Sequence, residues 1–410
     1  MGRVHDNNEQ EFTSITMYKI LTLNNISVAG LERLPRDQYE VASEIAHPDA
    51  ILVRSASMHD MEIPASLRAV VRAGAGVNNI PVARMSERGV PVFNAPGANA
   101  NAVKELVVAG MLLAARNIAQ GWAFARGLEG EDAAINKAVE SGKKQFVGFE
   151  LPGRTLGVVG LGAIGVQVAN VARALGMKVI GYDPTITVQR AWQLAADVQQ
   201  ALSVDDLVAR SDFISFHVPL TEETRGMING ERLRHIRKGG VLLNFSRNGI
   251  IDDKAAVAAL DSGHLYAYVC DFPSNLLKDH PRVVTLPHLG ASTVEAEDNC
   301  AIMVADQVRG WLEAGNVTNA VNFPEIFLPR NGGFRLAVVN SNVPNMVGQI
   351  STDLAAAGLN ILDMLNRSRG DIAVTLIDVN QWVPKETVAR LRTIPGVLSV
   401  RCLGCEKEEA

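Results

Sequence analysis

The chain is 410 residues long, 47% hydrophobic and 20% charged, with a formal net charge of −5. That composition belongs to a soluble globular protein of two or three domains, and the negative balance argues against nonspecific nucleic-acid binding. The longest apolar helical run, residues 106–115, falls far short of a membrane span, and no signal-peptide pattern is present, so no membrane partner is expected. Residues 1–16 are polar and aperiodic and read as a disordered leader, with Met17 opening the ordered chain. Buried strands are expected at 19–23, 50–54, 69–73 and 90–93, with turns and helical stretches between them, an α/β pattern with a parallel sheet. Residues 102–115 predict a strongly apolar, buried helix.

A second α/β run opens at Thr155. Strands are predicted at 156–159, 178–182, 213–218, 241–245, 266–271 and 283–286, with helices such as 165–175 and 254–262 between them, a doubly wound parallel sheet. Within it, Thr155 to Asp183 reads as strand, glycine turn, helix, strand and terminal acid. Gly160 permits the tight turn, Gly162 lets backbone approach a pyrophosphate, and Gly165 lets the helix opened by Ala163 and Ile164 pack on the strand. Asp183 is placed to accept hydrogen bonds from a ribose 2′-hydroxyl and to repel a 2′-phosphate, so the expected cofactor is NAD rather than NADP.

A third pattern follows the loop at 329–333. Strands at 334–340, 360–366, 372–379 and 397–402, with helices whose faces include Val347, Ile350, Leu354 and Ala357 and then 385–392, make a ferredoxin-like βαββαβ unit. The cysteines Cys270, Cys300, Cys402 and Cys405 are too few for a disulfide framework and fit a reducing, cytoplasmic setting. Cys402-x-x-Cys405 reads as a solvated tail, and no metal is expected.

Ligands of doubly wound sheets bind beyond the carboxyl ends of the strands. Arg247, in Asn244-Phe-Ser-Arg247-Asn-Gly, can fork onto a carboxylate and polarise a neighbouring carbonyl. His288, in Pro287-His288-Leu-Gly, is a natural donor and acceptor of a hydroxyl proton in alcohol–ketone interconversion. His217 and Pro219, in His217-Val-Pro-Leu-Thr, are expected to line the cofactor cleft.

Taken together, these motifs resemble the D-isomer-specific 2-hydroxyacid dehydrogenases, from about Met17 to Val321, and the βαββαβ unit resembles an ACT domain. The resemblance implies two Rossmann-like doubly wound domains: a substrate-binding domain at 17–100 and 293–326 and an NAD-binding domain at 101–292. An ACT regulatory domain follows at 334–405. It implies oxidation of 3-phosphoglycerate to 3-phosphohydroxypyruvate, the serine-pathway reaction, by a homodimer or homotetramer, with L-serine as an effector. By that resemblance Arg247 binds and polarises the 2-oxo acid and His288 is the general acid/base. Arg54, Ser55 and Asn99 contact the substrate phosphate, the loop holding Gly74 and Gly76 binds its carboxylate, and Asn340, Asn342 and Asn360 fall at effector positions. Alternatives are another 2-oxo acid or hydroxypyruvate reductase, or a non-catalytic NAD(H)-sensing regulator.

Two departures stand out. Alignment on Phe272-Pro273 puts Asn275 where the family carries the histidine's glutamate partner, and Cys270 where it carries a cofactor-contacting aspartate, with Asp271 beside it. An amide orients an imidazole but does not stabilise imidazolium as a carboxylate does. The pH optimum for ketone reduction is therefore expected below that of glutamate-bearing relatives, unless Asp271 compensates. In the ACT-like unit, Asn340 and Asn345 replace the usual histidine and glycine.

Overall fold

The computed structural model describes residues 17–330 and 332–404; the leader at 1–16 and Cys405 lie outside them. The chain divides into two compact units, one spanning Asn99–Ala296 and one made of the segments on either side of it. In the two-segment unit, strands β1 (Tyr18–Thr22), β2 (Tyr39–Ala42), β3 (Ala50–Val53), β4 (Ala69–Arg72) and β5 (Val92–Phe93) form a parallel sheet in the order β2-β1-β3-β4-β5. This is a doubly wound order. β2 was not anticipated because an edge strand carries no continuous apolar run: only its Tyr39 is buried. The helix Val294–Ala314 was also missed. Val304, Ala305, Val308, Trp311 and Leu312 make an apolar stripe at helical spacing that is buried in the core beside Leu52, Val71 and Phe93.

The Asn99–Ala296 unit holds β6 (Thr155–Val159), β7 (Lys178–Tyr182), β8 (Gln199–Gln200), β9 (Phe213–Phe216), β10 (Gly240–Asn244), β11 (Leu265–Cys270) and β12 (Val283–Thr285). All pair in parallel, in the order β12-β11-β10-β9-β6-β7-β8. Both faces are covered, so the central strands read as unbroken apolar runs, and every residue of β6, β9 and β10 is buried. The apolar helix Ala100–Arg116 packs on this sheet through Val103, Val107 and Met111.

The C-terminal strands β13 (Phe334–Ser341), β14 (Ile361–Arg369), β15 (Ile372–Val379) and β16 (Val397–Leu403) form an antiparallel sheet ordered β14-β15-β13-β16, with helices Met346–Ala356 and Lys385–Thr393 between them. This is the βαββαβ arrangement. Alternation sends Leu336, Val338 and Ile377 toward these helices and Ala337, Val339 and Leu376 toward the core that contains Trp311. A fully buried Arg335 donates to both carboxylate oxygens of Asp378 (2.5 and 2.7 Å) and to the carbonyls of Ala314, Leu328 and Pro329. A buried cation is tolerated only with such full pairing. Cys402 belongs to β16 and is disulfide-bonded, which corrects the expectation of a solvated tail; Cys270 and Cys300 are free and buried.

Candidate active site

The strand order of the larger sheet reverses between β6 and β9, and the register aligns Val159 with both Tyr182 and Phe216. Gly160, Asp183 and His217 therefore leave the sheet together at its switch point. Gly160 has φ +88° and packs so closely on the His217 carbonyl that a Cβ would lie 2.6 Å from it. A Cβ on Gly165 would lie 1.9 Å from the Gly160 carbonyl oxygen, whereas one on Gly162 would meet nothing within 4 Å. Gly162 also caps the helix Ala163–Ala174 with no side-chain hydrogen bond, leaving first-turn N–H groups for an anion. Ile164 packs against the sheet core, and Pro219 is exposed just beyond β9.

Asp183 is fixed by the glycine turn itself. Its Oδ2 accepts from the Leu161 N–H (2.8 Å) and its Oδ1 from the Thr185 N–H (2.9 Å). The glycine cradle and the half-buried carboxylate fit a dinucleotide. His217 is a wall rather than a base: Nε2 shares a hydrogen bond with Ser215 Oγ (2.9 Å), and burial pushes its pKa down to about 3, so the ring stays neutral.

The other end of the sheet is built for charge. β10, β11 and β12 are neighbours, with Asn244 in register with Cys270 and Cys270 with Thr285. Arg247, Asp271 and His288 thus leave one carboxyl edge just past three adjacent strands. Asn244 shapes the first loop: its Nδ2 donates to the Arg247 carbonyl (3.0 Å) and its Oδ1 accepts from the Ser246 N–H (3.2 Å), leaving the guanidinium of Arg247 exposed. His288 is exposed and held at φ +53°, and its ring meets Phe272 edge-on at 5.2 Å. The other non-glycine residues with positive φ among those described are all asparagines. A left-handed histidine stores strain of order 1–3 kcal/mol, of the kind that clusters at active sites.

Asp271 is 1% exposed, and neither carboxylate oxygen reaches full hydrogen-bond geometry among the described residues, the backbone N–H groups of Gly290 and Asp271 being its neighbours. Its Oδ2 would lie 3.6 Å from a Cβ on Gly290, inside the loop that carries His288. Burial pushes its carboxyl above the usual range, while the charge of His288, the nearby backbone N–H groups of Gly290 and of Asp271 itself, and the charge of Arg247 pull it back. Asn275, by contrast, is exposed in a turn and its amide makes no hydrogen bond among the described residues; the side chain facing His288 edge-on is Phe272. Cys270 also departs from expectation. It is fully buried in the sheet core and its thiol is pushed up to about 11 by burial, so it stays neutral and does not replace a cofactor-facing carboxylate.

In the two-segment unit, the backbone N–H groups of Arg54, Ser55 and Ala56 all donate to Asn24 Oδ1 (3.0, 2.9 and 2.9 Å). This clamp was invisible in sequence, since Asn24 is far upstream in an unremarkable loop. Arg54 is ion-paired with Glu297, so its guanidinium is already oriented. Asn79 ties the loop of Gly74 and Gly76 to this one by donating to the Ala56 carbonyl (2.8 Å), and a Cβ on Gly74 would collide with the Arg72 guanidinium. Asn99 belongs to the other unit, at the N-terminal end of helix Ala100–Arg116, where its side chain makes no capping bond and its buried Oδ1 has no partner among the described residues.

The three effector asparagines do not converge within one chain. Register pairs Phe334 with Val379 and Val379 with Ile361, so Asn360 lies level with the start of β13 while Asn340 and Asn342 lie at its end. That separation is roughly 20 Å at the usual strand rise. Asn340 is buried, and its Oδ1 has no hydrogen-bond partner among the described residues.

A profile described as "D-isomer specific 2-hydroxyacid dehydrogenase, NAD binding domain" matches residues 108–290. The chain is 35% identical over 390 residues to D-3-phosphoglycerate dehydrogenase of Mycobacterium bovis, covering 90% of this chain and 70% of that one. It belongs to the D-isomer specific 2-hydroxyacid dehydrogenase family. A D-3-phosphoglycerate dehydrogenase of Methanocaldococcus jannaschii is 35% identical over 335 residues, 80% of this chain and 61% of that one. Among solved structures, an NAD+-bound 3-phosphoglycerate dehydrogenase of Entamoeba histolytica superposes with a TM-score of 0.60 at 26% identity, over 76% of this chain and 100% of that one. The Asn99–Ala296 unit is the family's NAD-binding domain, and Gly160, Gly162, Gly165 and Asp183 are the residues that fit the cofactor.

Proposed function

We propose that this protein is a phosphoglycerate dehydrogenase, oxidising 3-phosphoglycerate reversibly to 3-phosphohydroxypyruvate. The observation that carries the reaction class is the convergence of Arg247, Asp271 and His288 at one carboxyl edge of the NAD-binding sheet. The substrate rests on the relatives' identity and on the clamped Arg54–Ser55 loop, which offers a cation and fixed polar groups to a phosphate. Gly160, Gly162, Gly165 and Asp183 would hold NAD, which when bound would supply the hydride acceptor or donor for C2. Arg247 forks onto the substrate carboxylate and C2 oxygen, which withdraws charge from the carbonyl. His288 accepts the hydroxyl proton in oxidation and returns it in reduction. Asp271 supplies the negative charge that steadies the imidazolium, taking the part expected of a glutamate at 275.

Oxidation of NADH against phosphohydroxypyruvate, hydroxypyruvate, glyoxylate and 2-oxoglutarate tests this. Preference for phosphohydroxypyruvate by at least tenfold in kcat/KM, lost in Arg54→Gln, is expected. Preference for an unphosphorylated acid makes the protein a general 2-oxo acid reductase; NADH binding without turnover of any acid makes it a sensor. Helices Ile118–Arg126 and Asp132–Gly142 contain no buried residue, and Trp122 is 62% exposed, which supports a homo-oligomer formed through the NAD-binding domain. Serine as effector is supported by the buried Asn340 Oδ1, which has no partner among the described residues of the ACT-like unit; since Asn360 is at the far end of the sheet, a site using all three asparagines requires a second copy.

A further inference from the structure

A cavity of about 440 Å³ lies in the two-segment unit, where the five-stranded parallel-sheet domain meets the βαββαβ unit. Arg68 and Arg88 from the first and Arg392 and Arg401 from the second line it, with Ser66 and Ser399. In a chain of net charge −5, four guanidinium groups around one cavity are a local inversion of sign. Arg68 is paired with Asp49 at 3.2 Å. Arg88 and Arg392 have no carboxylate partner among the described residues. Their contacts are to backbone: Arg88 donates to the carbonyls of Ile63 (2.7 Å) and Pro64 (3.3 Å), and Arg392 to that of Val400 (3.0 Å). Arg401 donates to the carbonyls of Trp311 and Leu312 and lies over the Trp311 ring at 4.9 Å. Carbonyl bonds hold the Arg88 and Arg392 guanidinium groups in place without neutralising them, and leave both with further N–H groups to donate. The seam is closely packed beside the cavity: Gly89, at φ +67°, lies so near β16 that a Cβ would be 3.0 Å from the Leu398 Cβ.

We infer that this arginine-lined cavity binds a small oxyanion carrying at least two negative charges, an organic phosphate or a polycarboxylate, and that the anion bridges the parallel-sheet domain and the C-terminal unit. Preoriented guanidinium groups from two elements match such a ligand by charge-assisted, bidentate bonds, and the cavity admits an anion from the size of phosphate to that of a small ester. The site is separate from the Arg54 loop, and its occupancy would stiffen the seam through which the C-terminal unit meets the parallel-sheet domain.

The test is calorimetric titration of the full-length protein with inorganic phosphate and with citrate, at an ionic strength fixed by chloride. Arg88→Gln/Arg392→Gln is expected to weaken anion binding at this site at least tenfold. Arg88→Lys/Arg392→Lys keeps the charge and is expected to retain part of it. Arg54→Gln should leave this binding unchanged, which separates it from any phosphate held at the proposed substrate loop. Amide exchange should slow at 88–90 and 397–401 when the anion is added. Tighter binding of phosphate or of citrate assigns the ligand to one of the two sources. Binding that is unaffected by the double glutamine variant, or no saturable binding at matched ionic strength, overturns the inference.

Discussion

The two ends of the NAD-binding sheet were assembled by different rules. At the switch point, the arrangement rests on backbone: glycines that admit close approach, a helix start with no side-chain capping bond, and an aspartate fixed by the turn it faces. At the β10–β12 edge, the arrangement rests on side chains that follow three strands in register, one of them a buried carboxylate facing the charges of His288 and Arg247. The first arrangement tolerates no Cβ at Gly160 or Gly165. The second tolerates change of residue, provided some element returns a negative charge to His288. We propose Asp271 as that element, although it is not the residue alignment selects.

The largest expected effect tests the charged end alone. His288→Asn should lower kcat by about 10²- to 10⁴-fold, the usual worth of a general acid/base, while NADH affinity stays within about twofold as read by fluorescence titration. If NADH binding falls in parallel, the two ends are not separable. Next, Asp271→Asn should lower kcat by about 10- to 100-fold, a part of the same contribution, and leave the melting temperature equal or higher. The sign follows from linkage. Burial raises the folded-state pKa of Asp271 above its unfolded value, so ionisation costs stability as pH rises through the interval between the two values, and the cost persists above it. The variant's advantage in Tm should therefore grow from pH 4 to pH 8; a variant less stable at pH 8 than the parent would make Asp271 a structural residue.

Asp183→Ser probes the other end. Removing the carboxylate should raise KM for NAD about tenfold and open the site to NADP, with kcat little changed, since the 2′-hydroxyl contact is one of binding. The smallest effect is expected at Asn275. Asn275→Glu should change kcat and the pH–rate profile by less than about twofold, because the side chain is exposed in a turn away from the strand ends. A marked shift of the profile would return the partner's role to position 275. His217 contributes to no profile above about pH 4, its pKa being held down to about 3 by burial.

Much of the fold was legible because α/β segments announce themselves locally. Most of the strands have apolar runs bounded by turns. Those missed were edge strands such as β2 and β8, where pairing on one side suffices and no apolar run is needed. The helix Val294–Ala314 was missed because acidic residues dilute its first turns and only contact with the sheet shows which stripe is buried. The clamp of Asn24 on three successive amides likewise depends on a contact between separated loops.

By itself the sequence determined the dinucleotide end of the protein. Glycine spacing, helix start and terminal acid all lie within one βαβ segment, and their constraints are steric and short-range. Tertiary structure alone brought Asp271 to the strand edge shared with Arg247 and His288. Along β11, side chains alternate: Tyr268 and Cys270 enter one core layer, and Ala267 and Val269 the other. The residue after Cys270 therefore projects on the opposite side from the thiol, at the strand edge where Arg247 and His288 emerge, while position 275 has already left the sheet. That outcome depends on which face of the strand is which and on the register of two neighbouring strands, and neither quantity is written in the linear spacing.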